Sequence, residues 1–191
     1  MKYVIDCGSN YFDGLKSLNR IYSFDESWKI DCFEANPLTY QDSLDSKPNY
    51  NCEVTVHNKA IWKNEGFVNV NINADLPLDN GTNILETPPD RDIQYNRKFN
   101  WQDKISVPCV DLAKIIKDSN SNFIVVKMDI EGAEFEVLQH LIKENVLQKI
   151  NHLYVEFHER FFISELEKYR ELKQNLLVEI GRSVQAFGQW D

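Results

Sequence analysis

The sequence predicts an α/β fold, a Rossmann-like domain with a mostly parallel central sheet and helices on both faces. Three observations lead there. Phe123-Ile124-Val125-Val126 is a continuous apolar run, the mark of a strand buried on both faces. The chain then turns acidic at Asp129 and Glu131, passes Gly132 and Ala133, and resumes with Phe135, Val137, Leu138, Leu141 and Ile142 at helical spacing. A similar order of strand, turn and helix opens the chain at Tyr3-Val4-Ile5-Asp6. Acids follow both strands, at the carboxyl edge where open α/β sheets keep their chemistry.

Taken in order, Tyr3 to Asp6 is a short apolar strand ending in Asp6-Cys7-Gly8-Ser9-Asn10, and a helix carrying Leu15, Leu18 and Ile21 follows. Strand, glycine-containing turn and helix is the unit that lays a ligand across a helix N-terminus. Ile30 to Phe33 is the second strand, closed by Glu34-Ala35-Asn36-Pro37, with Pro37 suited to the first turn of the next helix. An acid at the end of that strand is placed to accept hydrogen bonds from both ribose hydroxyls of an adenine cofactor. S-adenosylmethionine and nicotinamide dinucleotides both satisfy this geometry. The dinucleotide fingerprint G-x-G-x-x-G is missing, because no pyrophosphate-approach glycine follows Ser9. Glu34 as a mere helix cap fits the Glu-Ala-Asn-Pro run less well, so a non-dinucleotide adenosine ligand is expected.

Val54-Thr55-Val56-His57 is the third strand and runs into Asn58-Lys59-Ala60-Ile61-Trp62. Phe67 to Ile72 alternates apolar and polar residues, as a half-exposed antiparallel strand does. Residues 86–104 form the least regular segment, with Pro88-Pro89 and the rings of Tyr95, Phe99 and Trp101. Such a loop is either a mobile surface segment or a lid over an acceptor site, with aromatic rings for a sugar face and Arg91 or Arg97 as donors. Ile105 to Cys109 returns as a strand and Val110 to Ile116 as a short helix. Leu153 to His158 is the fifth parallel strand. Leu166, Tyr169, Leu172, Leu176 and Ile180 then predict a helix ending at Gly181, with a last strand from Ser183 to Gly188. Leu176 to Ile180 is alternatively the first arm of a terminal hairpin.

The totals bound the function. At 191 residues, 42% hydrophobic and 27% charged, residues 1–191 make one soluble globular domain. Met1 directly before the first strand leaves no room for a signal peptide, and it also fits a domain excised from a longer polypeptide. A net charge of −9 weighs against a nucleic-acid partner, whose phosphates need Lys and Arg. Cys7, Cys32, Cys52 and Cys109 are widely spaced with no C-x-x-C pair, and three of them sit in apolar runs. They read as core thiols of a reduced, cytoplasmic protein. No apolar run approaches membrane-spanning length.

Lys127-Met128-Asp129-Ile130-Glu131-Gly132-Ala133-Glu134, with Glu156-Phe157-His158 one strand later, resembles the FkbM-type family of S-adenosylmethionine-dependent methyltransferases. The resemblance runs from Tyr3 to about Phe162. It implies a class I methyltransferase fold, S-adenosylmethionine as cofactor and a sugar or glycan hydroxyl as acceptor, with a polyketide-like small molecule behind it. Fusion to, or association with, glycan-assembly enzymes is the partner it leaves open. Asp6-x-Gly8-x-Asn10 is similar to the family's first cofactor motif, whose turn backbone, here including Ser9, cradles the methionine part. One departure stands out: Phe12 occupies a position where the family has glycine, and the next glycine is Gly14. Phe12 implies a wider turn or an aromatic wall beside the cofactor. Asn58 and Ala60 inherit the family's segment along the adenine, and Gly81 to Leu85 resembles its small-hydroxyl loop. The cofactor-binding candidates are therefore Asp6, Gly8, Ser9, Asn10, Glu34, Ala35, Asn36, Asn58, Ala60 and Asp129.

Alternate residues of a strand share a face, which puts Lys127 with Asp129 and Glu156 with His158. Neighbouring strands in register would pair Lys127 with Glu156 as a supporting ion pair, and Asp129 with His158 at the strand tips. Methyl transfer from a sulfonium centre is mainly positioning, but an alcohol acceptor must also lose its proton. His158 suits that base role, with Asp129 fixing its tautomer; Asp129 is the alternative base. Asp129, Glu131 and His158 are the catalytic candidates. The same three could instead hold a divalent metal, but Glu131 more naturally begins the following helix, and no metal is expected. Two rival functions are a nicotinamide-dependent oxidoreductase and a non-catalytic cofactor-binding module of a larger assembly.

Overall fold

The computed structural model describes residues 1–78, 81–89, 91–92, 97–101 and 104–190. In chain order the elements are β1 (Lys2–Cys7), α1 (Asp13–Tyr22), β2 (Trp28–Phe33), α2 (Pro37–Ser43), β3 (Glu53–His57), β4 (Ala60–Trp62) and β5 (Gly66–Val70). Then follow β6 (Arg91–Asp92), β7 (Arg97–Lys98), β8 (Ile105–Asp111), α3 (Leu112–Asp118), β9 (Phe123–Met128), α4 (Glu134–Lys143), β10 (His152–Val155), α5 (Leu166–Ser183) and β11 (Ala186–Gln189). Six strands form one sheet in the order β11-β10-β9-β1-β2-β3, and every pairing in it is parallel. This is the doubly wound order, whose direction reverses between β1 and β9. The predicted Rossmann-like architecture is the one observed.

Alternation along β1 shows why helices must cover both faces. Tyr3, Ile5 and Cys7 join one core with Val126, Met128, Ile116 of α3, Leu138 of α4 and Ile180 of α5. Val4 joins the opposite core with Val125, Ile30, and Leu15 and Leu18 of α1. Cys7, Cys32 and Cys109 are buried free thiols, as their apolar surroundings predict. β5 pairs antiparallel with β8, and β4 parallel with it, in a separate three-stranded sheet.

Several boundaries differ from expectation for identifiable reasons. The short helix begins at Leu112 rather than Val110, because Val110 and Asp111 still pair with β4, and the Asp111 side chain caps the helix by accepting from Ala113 N at 2.8 Å. Leu176 to Ile180 lie inside α5, so they are not a hairpin arm; α5 continues through Gly181 to Ser183, and β11 joins β10 in parallel. Ile21 is exposed, off the buried stripe of Leu15 and Leu18. Phe12 is fully buried in the α1-side core, at a left-handed φ of 64° just ahead of α1. It is not a wall of the cleft described below; it plugs the core beneath it.

Candidate active site

The carboxyl ends of β1 and β9 meet at the switch point, and Gly8 makes that meeting tight. Its φ is +78°, and a Cβ placed there would lie 1.8 Å from the Asp129 carbonyl oxygen. Gly8 N and Ser9 N donate to Phe33 O at 2.9 and 3.0 Å, tying the turn to β2. The turn then presents Asn10 N to Glu34 Oε2 at 2.9 Å, while Asn36 N donates to Oε1 at 2.8 Å. Glu34 is 7% exposed. Burial pushes its carboxyl up to about 7, against the two amides and the more distant Lys127, which favour the anion.

A cleft opens over this edge, at the carboxyl ends of the strands where open α/β sheets bind their ligands. Of the predicted cofactor residues, Gly8, Asn10, Glu34, Ala35, Ala60 and Asp129 line it. Asp6, Ser9, Asn36 and Asn58 support it from behind. Asn36, fully buried, caps α2 through Leu38 N at 3.0 Å and donates Nδ2 to Pro77 O at 2.7 Å and Thr82 Oγ1 at 3.0 Å. Asn58 Nδ2 donates to Glu34 O at 2.9 Å, so it shapes the β2 edge. Thr82, Asn83 and Ile84 of the predicted small-hydroxyl loop also reach the cleft, together with Thr39, Lys59 and Ile61, which sequence reasoning did not single out. Nothing in their spacing marks these three; the fold brings them in.

Lys127 does not pair with Glu156. In the parallel register Lys127 faces Tyr154 on β10 and Asp6 on β1, which leaves Glu156 two residues further along, past the end of β10. The Lys127 ammonium donates to Gly8 O at 2.7 Å and to Asp129 Oδ2 at 3.3 Å, and stands 3.5 Å from Asp6 Oδ1. Asp6 is fully buried and its carboxyl is raised by that burial, with Lys127 opposing the rise. Burial disfavours the Lys127 charge, but Asp6 and Asp129 more than reverse it and raise its pKa. Gly14 leaves room for this side chain: a Cβ there would meet Lys127 Cε at 3.0 Å.

His158 sits at the centre of an acidic shell and is 1% exposed. Its Nδ1 bonds Glu134 Oε1 at 3.0 Å, while Nε2 faces Glu131 Oε2 and Glu156 Oε1 at 3.4 Å each and Asp129 Oδ1 at 3.8 Å. The structure thus brings Asp129, Glu131 and His158 together as predicted, with two corrections. Glu134, not Asp129, fixes the imidazole; it is fully buried and accepts from Ile130 N at 2.8 Å and Gly132 N at 3.0 Å. Its signal was an acid at the first position of an otherwise apolar helix face. Glu131 does not begin that helix, which starts at Glu134; it lies in the preceding turn at φ 55°, followed by Gly132 at φ 102°.

The charges in this shell set one another. Burial raises the Glu131 carboxyl to about 8, helped by Asp129, Glu134 and Glu156 and opposed by His158. Burial disfavours the His158 charge, yet Glu134 and Glu131 outweigh it and lift the imidazole to about 10. The group is built to hold a positive charge beside several carboxylates. Arg160 supports its outer edge, reaching Glu156 Oε1 at 3.2 Å.

The irregular segment touches the site through rings. Phe161 lies 5.1 Å from His158 between ring centroids, Phe99 meets Phe161 edge-on at 6.3 Å, and Trp101 stacks on Phe99 at 4.6 Å. Trp101 Nε1 is anchored to Pro89 O at 2.9 Å. Tyr95 and the side chains of Arg91 and Arg97 lie outside the described residues. No helix among the described residues is long and apolar enough to cross a membrane.

No curated protein and no solved structure matches the chain. The sequence model of the methyltransferase FkbM domain does, over residues 6–181, a span from the end of β1 through the acidic shell into the last turn of α5. With the doubly wound sheet and a cleft at its switch point, that match places the chain in the FkbM methyltransferase family.

Proposed function

We propose that this methyltransferase uses S-adenosylmethionine to methylate a hydroxyl oxygen of a sugar, glycan or similar small molecule. The observation that carries the cofactor reading is Glu34: a buried carboxylate held by two backbone amides at the rim of the cleft, where a ribose diol would meet it. Asn10 Oδ1 and Thr39 Oγ1, on two cleft-lining residues, are buried without a hydrogen-bond partner among the described residues, which suits a polar ligand. Asp6, Ser9, Asn36 and Asn58 hold this edge in shape, while Ala35, Ala60 and Ile61 supply small and apolar wall for a base. The bound cofactor supplies an electrophilic methyl on a sulfonium sulfur.

The chain's own work is placement and proton transfer. Asp129 lines the cleft and turns one carboxylate oxygen to Lys127 and the other to His158. As the acceptor oxygen takes up the methyl group, its proton passes to a carboxylate of this group, of which Asp129 and Glu131 line the cleft. His158, kept positive by its acids, balances the anionic group instead of serving as the primary base; Glu131 completes the shell. Phe161, buried against His158, backs the half-buried rings of Phe99 and Trp101, which suit the apolar face of a sugar.

Calorimetric titration with S-adenosylhomocysteine, with NADH as control, tests the cofactor reading. Saturable binding of the first alone is expected, and binding of NADH or of neither overturns it. The non-catalytic alternative predicts that His158→Ala leaves methyl transfer to the true acceptor unchanged.

A further inference from the structure

We propose that Asp129, Glu156 and His158 form a binding site for one divalent cation of the Mn²⁺ class, next to the cofactor cleft. Each residue offers a ligand atom, and the three atoms lie within 4.8 Å of one another. Around a six-coordinate ion with ligand bonds of about 2.1 Å, neighbouring ligands stand about 3 Å apart. His158 Nε2 is already 3.4 Å from Glu156 Oε1 and 3.8 Å from Asp129 Oδ1, so small side-chain rotations close the set.

A second observation is independent of the acids. The imidazole is 1% exposed, and Nε2 points into the group, 3.4 Å from Glu131 Oε2 and Glu156 Oε1 and 3.8 Å from Asp129 Oδ1, ion-pair contacts looser than the Nδ1 hydrogen bond to Glu134. Nδ1 is committed to Glu134, whose carboxylate is itself pinned by Ile130 N and Gly132 N. Donation from Nδ1 to a fixed carboxylate leaves the Nε2 lone pair facing inward. It is the arrangement by which carboxylates orient metal-binding histidines. A proton on Nε2 and a metal ion are alternative occupants of that lone pair.

Charge and access agree. Four carboxylates, those of Asp129, Glu131, Glu134 and Glu156, surround the single imidazole, while Lys127 takes the far oxygen of Asp129 and Arg160 holds Glu156. The Asp129 side chain is 25% exposed and Glu156 19%, which leaves coordination positions for water or a hydroxyl ligand. One imidazole with oxygen donors favours Mn²⁺ over the purely oxygen-seeking Ca²⁺. The site itself rests on these residues alone. Its use, binding an acceptor hydroxyl so that its proton passes to Glu131, the cleft-lining carboxylate outside the ligand set, rests on the methyl-transfer reading.

The test is an electron paramagnetic resonance titration of the chelator-treated protein with Mn²⁺, without cofactor. One equivalent is expected to bind, with a nitrogen coupling from the imidazole in the spin-echo spectrum. Glu156→Gln and His158→Gln should each weaken binding at least tenfold, and Glu134→Gln about 10- to 100-fold. Glu167→Gln, an exposed acid on α5, should leave it unchanged. No saturable binding, binding unaltered in Glu156→Gln and His158→Gln, or bound Mn²⁺ without nitrogen coupling overturns the proposal. The coupling is read on the unaltered protein, so the test stays decisive even where a variant is unstable. Mn²⁺ binding without S-adenosylhomocysteine binding would sink the cofactor reading and leave the metal site standing; the reverse result would sink only the metal site.

Discussion

Glu34→Gln separates the two roles carried by one buried carboxylate. In the folded chain its pKa is near 7, against 4.5 for an ordinary glutamate, because burial outweighs the amides of Asn10 and Asn36. A carboxyl whose pKa is raised by folding retains its proton in the native state after the unfolded chain has lost it. Its ionisation therefore costs stability as pH rises from about 4.5 to about 7, and the cost is fully present above that window. At 1.36 kcal/mol per pKa unit, the whole cost is about 3 kcal/mol, of which about 2 to 3 kcal/mol develops between pH 5 and pH 8. Glutamine carries no such titration, although its amide group leaves one of the two backbone donors poorly matched, a pH-independent loss of about 1–3 kcal/mol. Urea unfolding of both proteins at several pH values cancels all other titrations in the difference. The wild type should lose about 2 to 3 kcal/mol relative to the variant between pH 5 and pH 8. Cofactor binding should move the opposite way. Only the carboxylate accepts from both ribose hydroxyls, so S-adenosylhomocysteine should bind the wild type about tenfold more weakly at pH 6 than at pH 8, and the variant without that slope. A stability difference that stays flat across pH would refute the assignment of the raised pKa to this buried acid. A flat binding profile with tight affinity would refute its contact with the ribose.

Other perturbations read the remaining parts of the site. Gly8→Ala meets both a left-handed φ and the Asp129 carbonyl, and should destabilise by about 3 kcal/mol or more in chemical denaturation while abolishing cofactor binding. Lys127→Met strands the fully buried Asp6 and should cost about 3–5 kcal/mol; adding Asp6→Asn should restore part of it, and failure of the pair to couple would show that they do not stabilise one another. Asp129→Asn should cut methyl transfer by at least about 100-fold while leaving S-adenosylhomocysteine affinity within a few-fold, as a proton acceptor requires. Full transfer activity in both Asp129→Asn and His158→Ala would remove the acidic shell from the chemistry.

What could be read in advance follows from which interactions are local in sequence. The buried run at Phe123, the Pro37 helix start and the apolar spacing of α4 are local, and each element formed where its residues say it should. The gathering of Asp129 and His158 at the tips of adjacent strands was also foreseeable, although β10 ends at Val155 and Glu156 and His158 lie beyond it, not within the strand as expected. Register was not. Along β10, Tyr154 and not Glu156, two residues on, stands opposite Lys127, whose charge partner is Asp6 on β1, and no residue in these strands announces that choice alone. Buried-strand patterns are nearly uniform in hydrophobicity, so the pairing is decided by what the strand ends must accommodate. Here that requirement is visible only in three dimensions. Gly8 brings β1 against the Asp129 carbonyl, Gly14 clears space for the Lys127 stem, and Asp6 supplies the buried counter-charge. The same physics hid Glu134. A glutamate at the start of a helix is ordinarily explained by the helix dipole. What sets this one apart is the turn before it: Glu131 and Gly132, both at positive φ, lift two backbone donors toward its carboxylate. That carboxylate can then hold Nδ1 of His158 and leave Nε2 to the group that faces the cleft. The residue that orients the site was in plain view, but its partner lies 24 positions away, and only the folded sheet brings the two together.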